Sequence, residues 1–104
     1  MTEIVAQGEC KVWFLYMIRC NKGQLYTGIS TDVARRFAEH ESGKGAKFLR
    51  GKAPLRLQFE QCVGSHSEAL KVEIQVKKLS KKEKERLIIR QVSGLSAFAS
   101  CSVG

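Results

Sequence analysis

Apolar residues along this chain fall into patterns that predict three β-strands. Residues 11–19 are apolar at every interior position, which is typical of a strand buried on both faces at the centre of a sheet. A second short apolar stretch, 25–30, is preceded by turn residues. Across 55–63, apolar residues alternate with polar ones, as in a strand with one buried face. We therefore predict strands over these three stretches, with the first in the middle of the sheet.

Three other stretches repeat apolar residues at helical spacing, and we predict helices over 32–42, 66–79 and 81–91. Thr31 is the expected N-cap of the first helix, because its hydroxyl can accept a hydrogen bond from a free backbone N–H. The second and third helices are each preceded by the capping-box sequence Ser-x-x-Glu, which begins at Ser65 and Ser80.

The turn between the first two strands sets which side chains share a face of the sheet. Asn21-Lys22-Gly23 favours a three-residue hairpin loop with Gly23 in the left-handed conformation. Such a loop pairs residues whose numbers add to 44, so Tyr16 would oppose Gly28, and Tyr16 and Tyr26 would be diagonal neighbours. A two-residue loop would place the tyrosines on opposite faces.

These elements predict one small domain of the α+β class. We expect a three-stranded antiparallel sheet in the order 2-1-3, flanked by helices and formed by residues 11–94. Residues 1–10 and 95–104 are expected to be a loose N-terminal tail and a C-terminal tail. A chain of 104 residues is long enough to bury one modest core without cross-links.

The charge of the chain points to an anionic partner. It carries 18 Lys and Arg against 10 Asp and Glu, a net charge of +8. Thirteen of the cations fall in 44–56 and 71–90, which favours contact with a phosphate backbone. The alternative is that these charges only form a solvated surface. The candidate nucleic-acid-binding residues are Lys44, Lys47, Arg50, Lys52 and Lys77.

Several classes of protein do not fit the sequence. The longest apolar run has seven residues, whereas a membrane-spanning helix needs ~20, so no membrane partner is expected. Glu3 and Glu9 lie where a signal peptide would be basic, and we expect a cytoplasmic protein. None of the four cysteines has the spacing of a zinc site, and we expect free thiols.

Two pairs of residues are candidates for chemistry on the predicted sheet and first helix. Tyr16 and Tyr26 are the only tyrosines, and a tyrosine hydroxyl can move a proton if its own proton is drawn off. The alternative is two ordinary tyrosines of a half-buried sheet. Arg36 and His40 lie one helical turn apart and combine a phosphate ligand with a proton carrier. A solvated basic face is the alternative for the arginine.

Glu73 is the third candidate. On the second helix it lies on a largely apolar arc, roughly 40° from Ala69. A carboxylate in such a place must be paired or bind a metal ion. The alternative is an ion pair, either with Lys77 one turn away or with an arginine of the first helix.

Four pieces of the chain, in order, resemble the GIY-YIG nuclease superfamily and look most similar to its small stand-alone bacterial members. They are Trp-Phe-Leu-Tyr at 13–16, Leu-Tyr-Thr-Gly-Ile-Ser at 25–30, the Arg-Arg…His block within 32–40, and the stretch 68–73 that ends in Glu73. The Ser-Gly-Lys-Gly-Ala-Lys loop at 42–47 and the Lys-rich stretch 81–87 add to the match. The resemblance covers about 11–90.

The resemblance implies phosphodiester hydrolysis with one divalent metal ion, Mg²⁺ or Mn²⁺, and no small-molecule cofactor. Tyr16 matches the tyrosine of the first motif, and Tyr26 and Gly28 match the tyrosine and glycine of the second. Arg36 matches the arginine that holds the scissile phosphate. His40 falls at a position where members of the family have Tyr or His. Glu73 matches the single carboxylate metal ligand. Ile29 departs from the family, which often has a polar residue there.

Our leading hypothesis is a metal-dependent endonuclease that cleaves DNA with little sequence preference, with DNA repair as the expected process. The alternative is a nucleic-acid-binding module that keeps the fold and cleaves weakly or not at all. A third interpretation, a partner-binding adaptor, would require an exposed apolar patch.

Overall fold

The computed structural model describes residues 11–92. Three strands and three helices follow one another as predicted, with one short 3₁₀ turn in the loop before the third strand. The elements are β1 (Trp13–Arg19), β2 (Leu25–Ser30), α1 (Val33–Glu41), the 3₁₀ turn (Lys47–Leu49), β3 (Arg56–Gly64), α2 (His66–Lys77) and α3 (Lys81–Val92). The predicted tails 1–10 and 95–104 lie outside the described residues.

The sheet is antiparallel with the order β2-β1-β3, which confirms the predicted α+β fold and the central place of β1. Gly23 has a φ of 83°, and Tyr16 pairs with Gly28 while Ile18 pairs with Tyr26. The three-residue loop and the register it implies are therefore correct. The left-handed backbone at Gly23 is what allows the chain to reverse in so few residues.

The two faces of β1 pack against different parts of the chain. The even-numbered side chains Tyr16 and Ile18 join Val33 of α1 and the loop residues Leu49 and Leu55 in one cluster. The odd-numbered side chains are fully buried on the other face, in a cluster with β3, α2 and α3 formed by Leu15, Met17, Phe59, Val76 and Ile88. Because both faces are covered, β1 is apolar at every position before Arg19.

The helix starts follow the expected capping chemistry with one correction. Both capping boxes form, and Ser65 and Ser80 accept hydrogen bonds from the backbone N–H groups of Glu68 and Glu83. The N-cap of α1 is Asp32 and not Thr31, since the Asp32 carboxylate accepts the backbone N–H of Arg35 at 3.1 Å. Aspartate and threonine are both good caps, and because the helix begins at Val33, Asp32 and not Thr31 directly precedes it.

Two side-chain contacts tie α3 to the sheet. Arg19 at the end of β1 donates two hydrogen bonds to the Glu85 carboxylate, at 2.6 and 2.7 Å, and a third to Gln58 of β3. At the free edge of β3, the Gln91 side chain accepts the Glu60 backbone N–H and donates to the Glu60 carbonyl. The side-chain amide of Gln91 thus makes with Glu60 the two backbone hydrogen bonds that a neighbouring strand would otherwise make.

Two other expectations concern cysteines and membranes. Cys20 is a buried free thiol, as expected, but Cys62 is disulfide-bonded, so the prediction of a free thiol is wrong at that position. Sequence spacing does not show which thiols a fold brings together. Within residues 11–92, no helix is long and apolar enough to cross a bilayer.

Candidate functional site

Three rings meet where β1, β2 and the end of α1 come together. Tyr16 lies on β1, Tyr26 on β2 and His40 in the last turn of α1. The ring centres of the two tyrosines are 6.4 Å apart, and those of Tyr26 and His40 are 5.4 Å apart with the planes nearly perpendicular. The hairpin register and α1 therefore bring three of the predicted residues into one cluster.

Tyr16 is the buried member of this cluster. Its side chain is 2% exposed, and burial, assisted by the nearby Tyr26, raises its pKa to about 12. Gly28 faces it across the strand pair, and a Cβ at Gly28 would lie 2.5 Å from the Tyr16 hydroxyl oxygen. The glycine of the second motif is therefore required by the position of the Tyr16 ring, and Tyr16 stays a neutral phenol at neutral pH.

His40 is held at both ring nitrogens. Its Nδ1 accepts the backbone N–H of Ala46 at 3.0 Å, and its Nε2 lies 2.9 Å from the Tyr16 hydroxyl oxygen. Burial lowers the pKa of His40, as does the positive charge of Arg36, so the ring is neutral. A neutral ring that accepts at Nδ1 carries its proton on Nε2, and we infer that His40 donates to Tyr16.

Gly45 makes this arrangement possible. A Cβ on Gly45 would overlap the His40 ring and come within 2.9 Å of the His40 Cα. The loop backbone can therefore approach the histidine closely enough for the Ala46 N–H to reach Nδ1. Our sequence analysis did not identify Gly45 as a site residue; the Gly-Lys-Gly-Ala sequence at 43–46, which begins three residues after the histidine, is the signal that could have indicated it.

Arg36 lies on α1 beside the tyrosines, with its side chain 39% exposed. Its Nη1 pairs with Glu39 at 2.9 Å, and this contact raises the pKa of the guanidinium, with a smaller contribution from Tyr16. Arg35, the preceding residue, is exposed. A partly exposed guanidinium next to Tyr16 can bind an anion from solvent, because its pairing with Glu39 uses only part of its donors.

Glu73 lies on α2 with its side chain 17% exposed. It pairs with Lys77 one turn away, with 3.3 Å between Nζ and Oε2, so the ion pair considered as an alternative is present. Its charge makes the smallest contribution to the raised pKa of Tyr16. Within the described part of the chain, no group of three or more His, Cys, Asp or Glu is arranged to hold a metal ion.

An open groove of about 240 Å³ borders the cluster at the free edge of β2. Two of the predicted nucleic-acid-binding residues are there: Lys77 lines the groove, and Lys52 contacts the Phe48 ring beside it. The other three predicted cations, Lys44, Lys47 and Arg50, are exposed in the loop between α1 and β3 and have no part in its lining.

Phe48 is a residue of this region that our sequence analysis missed. It lies in the 3₁₀ turn and is 42% exposed, while its ring stacks on that of Tyr26 with 6.0 Å between centres and 22° between planes. An aromatic residue inside the basic stretch 44–56 was the available signal, because aromatic rings interleaved with cations are common in nucleic-acid interfaces.

Comparison with known proteins agrees with this architecture. Residues 12–86 match the family model of the GIY-YIG catalytic domain. A UPF0213 protein of Klebsiella pneumoniae subsp. pneumoniae is 60% identical over 86 residues, covering 83% of this chain and 77% of that protein. A UPF0213 protein of Cronobacter sakazakii is 57% identical over 81 residues, or 78% and 85% of the two chains.

A solved structure is also similar. The solution NMR structure of a protein from E. faecalis is 36% identical in sequence and has a TM-score of 0.54, over 75% of this chain and 83% of that one. The family match spans most of the described domain and contains every residue of the ring cluster as well as Arg36 and Glu73. The chain therefore belongs to the GIY-YIG catalytic domain family, which is a family of nucleases.

Proposed function

We propose that this protein is a divalent-metal-dependent endonuclease that hydrolyses phosphodiester bonds of DNA with little sequence preference. The observation that carries the proposal is the convergence of Tyr16, Tyr26 and His40, with the partly exposed guanidinium of Arg36 acting on Tyr16. Cleavage of a phosphodiester needs a group that binds the phosphate and a group that moves a proton. Tyr26, which can move a proton, lines the open groove, and Arg36 interacts with Tyr16 in the same ring cluster.

Arg36 is the phosphate ligand in this proposal. Its fork of N–H donors matches two oxygens of a phosphate, and its partly exposed position lets a strand approach from solvent. The guanidinium would neutralise the charge that develops on the phosphoryl oxygens as water attacks. The Glu39 ion pair occupies Nη1 and leaves other N–H donors of the fork for the substrate.

Tyr26 is the residue that takes the proton of the attacking water. Its side chain is partly exposed and lines the groove, whereas Tyr16 is buried and keeps its own proton because of its raised pKa. Tyr26 can accept the proton of water and pass its own hydroxyl proton to solvent. Tyr16 and His40 act as positioning residues, because their mutual hydrogen bond fixes the surface on which Tyr26 packs.

Glu73 is the residue that would hold the metal ion. A lone carboxylate fits Mg²⁺ or Mn²⁺, since Mg²⁺ keeps several waters and is often bound by one or two carboxylates together with substrate phosphate. The Lys77 ion pair is no obstacle, because a pair at 3.3 Å with a 53% exposed lysine is weak. When bound, the ion supplies Lewis-acid stabilisation of the phosphoryl and leaving oxygens.

The experiment is cleavage of nicked, flapped and linear DNA by wild type and Glu73→Gln, with Mg²⁺, Mn²⁺ or EDTA. Glu41→Gln, an exposed carboxylate on α1, is the matched control. We expect metal-dependent cleavage that Glu73→Gln loses and Glu41→Gln keeps. Cleavage that survives in Glu73→Gln would contradict the assignment of the metal ligand.

The second candidate function is a nucleic-acid-binding module without appreciable cleavage. The basic and aromatic lining of the groove favours it, because Lys77, Lys84 and Phe48 could bind a strand without any metal ion. Salt-sensitive binding of DNA with no cleavage under any metal condition would support this function over the nuclease.

A further inference from the structure

The groove at the edge of β2 has the composition of a nucleotide-binding surface. Its floor is apolar and aromatic, and its rim is cationic. Three consecutive residues of β2 form one wall, the Phe48 ring forms another, and two lysines of different helices complete it; the lining residues are Leu25, Tyr26, Thr27, Phe48, Lys77 and Lys84. A sheet edge, a loop and two helices thus contribute to one surface.

Phe48 presents an aromatic ring that the core does not use. Its neighbour Leu49 is 2% exposed and packs in the core, whereas Phe48 is 42% exposed and contacts Tyr26 from outside. The ammonium of Lys52 lies 3.6 Å from the Phe48 ring centre. Such a ring beside cations has the features that bind a nucleobase, since a base stacks on an aromatic face while its phosphates pair with ammonium groups.

The charges around the groove fit an anionic strand. Lys77 and Lys84 line the groove from two helices, and Lys52 of the loop lies over the Phe48 ring, where a stacking base would displace its ammonium towards the phosphates. Glu73 is the acid that the structure pairs with one of them, at 3.3 Å to Lys77, and Lys77 remains 53% exposed. Phosphates on both sides of a bound base would therefore find cations within the same groove.

We infer that this groove is a subsite for one nucleotide of the substrate strand whose base is unpaired. The inference rests on the proposed nuclease function and deepens it, because Tyr26 belongs both to the ring cluster and to the groove wall. A base inside a duplex is stacked on both faces, so it cannot lie against Phe48. The occupant is thus a nucleotide of a single-stranded segment, a flap or a frayed end.

The test measures binding in EDTA, so that cleavage plays no part. Anisotropy of a labelled single-stranded oligonucleotide and of a duplex of equal length is followed for wild type, Phe48→Ala, Phe48→Leu and Phe48→Trp. Ile89→Ala is the matched control, because Ile89 is an apolar side chain 63% exposed outside the groove. Thermal unfolding of each variant shows that it is folded.

We expect single-strand binding to weaken about tenfold or more in Phe48→Ala and Phe48→Leu, with little change in Phe48→Trp and Ile89→Ala. Phe48→Leu separates the ring face from simple apolar burial. Duplex binding should change much less in every variant. A single strand in which 2-aminopurine replaces one base should lose fluorescence on binding wild type and keep it on binding Phe48→Leu.

The cations are tested by the salt dependence of single-strand binding. Lys84→Gln should reduce the slope of log affinity against log salt by about 0.7, the value for one phosphate contact on a single strand. Lys82→Gln, an exposed lysine on the same helix outside the groove, should leave the slope closer to that of wild type.

The subsite would be overturned if the Phe48 variants lost the same affinity for duplex as for single strand, or if Phe48→Leu lost no affinity for the single strand. The proposed nuclease function is judged separately, by metal-dependent cleavage with the wild-type ring. Cleavage by wild type together with unchanged binding by Phe48→Leu would keep the nuclease and reject the subsite. A ring-dependent preference for single strands without cleavage would keep the subsite and favour the binding module.

Discussion

A methyl group added at Gly28 tests how closely β2 confines Tyr16. The Cβ of Gly28→Ala would lie 2.5 Å from the Tyr16 hydroxyl oxygen and 2.7 Å from Cζ, well inside an ordinary contact of ~3.5–4.0 Å. The Tyr16 ring is 2% exposed and its hydroxyl is hydrogen-bonded to His40, so there is no free space into which the ring could move. Either the strands separate or the ring moves and loses that hydrogen bond.

The expected cost follows from these two effects. Overpacking a buried site costs ~1–3 kcal/mol, and the lost hydrogen bond costs ~0.5–1.5 kcal/mol. The reduced entropy of the unfolded chain after a Gly→Ala change offsets ~0.4–1 kcal/mol. We expect Gly28→Ala to lower the free energy of unfolding by about 2 kcal/mol or more, and the melting temperature by roughly 8–16 °C for a domain of this size.

The assay is urea unfolding followed by circular dichroism, in a double-mutant cycle with Tyr16→Phe. Removing the hydroxyl deletes the atom nearest to the new methyl group, so the cost of Gly28→Ala should be smaller in the Tyr16→Phe background. Gly51→Ala is the control, because no atom lies within 4 Å of its Cβ and its cost arises from a φ of 71°. That cost should not depend on Tyr16.

The reasoning is refuted if Gly28→Ala costs less than about 1 kcal/mol. It is equally refuted if the cost is the same in both backgrounds within ~0.5 kcal/mol, the agreement expected of independent sites. Either result would mean that β2 can move away from β1 at this point. The ring cluster would then be less confined than the packing around Tyr16 indicates.

The remaining predictions concern ionisation and the loop that holds His40. Burial keeps the pKa of His40 below its ordinary 6.5. As the pH falls through 6.5, the imidazole therefore stays neutral in the folded protein, while the same histidine takes up a proton in the unfolded chain. The free energy of unfolding should therefore fall as the pH drops below about 6.5. In urea unfolding, the difference in stability between wild type and His40→Gln should become smaller over the same range. If the stabilities of the two proteins changed in parallel with pH, this prediction would be contradicted. In Tyr26→Phe, the single remaining phenol is Tyr16. The pKa obtained from its absorbance titration should lie above the ordinary 10.0, because burial is the main cause of the shift. A pKa of 10.0 would show that the ring is accessible to solvent. Gly45→Ala should displace the His40 ring and reduce cleavage, whereas Gly43→Ala, with no atom within 4 Å of its Cβ, should keep the imidazole NMR signals of wild type; equal effects of the two changes would contradict the close approach.

The sheet could be predicted from the sequence because local chemistry specifies it. The Asn21-Lys22-Gly23 turn sets the loop length, and the loop length sets the pairing of Tyr16 with Gly28. The run of apolar residues in β1 identifies the central strand, because only a strand covered on both faces lacks polar positions. The central place of β1 and the register between β1 and β2 followed from these two facts alone.

The details of the site depend on contacts between distant parts of the chain. The proton position on His40 depends on the Ala46 N–H, which a loop brings to the ring. Phe48 is exposed because the 3₁₀ turn directs its neighbour Leu49 into the core. For Glu73 two ion-pair partners could be proposed from the sequence, and only the structure distinguishes Lys77 from an arginine of α1. Spacing along the chain does not contain this information.

The Gln91 contact at β3 bears on how the protein behaves at high concentration. An uncovered strand edge invites a second molecule to pair with it, which is a common first step of aggregation. Gln91 occupies both the donor and the acceptor of Glu60, so a docking strand would have to displace the amide before it could pair there. Gln91→Ala leaves the surface charge unchanged and should make concentrated solutions associate more readily, a change that light scattering would detect. The last turn of α3 thus contributes to keeping neighbouring molecules apart as well as to holding one molecule together.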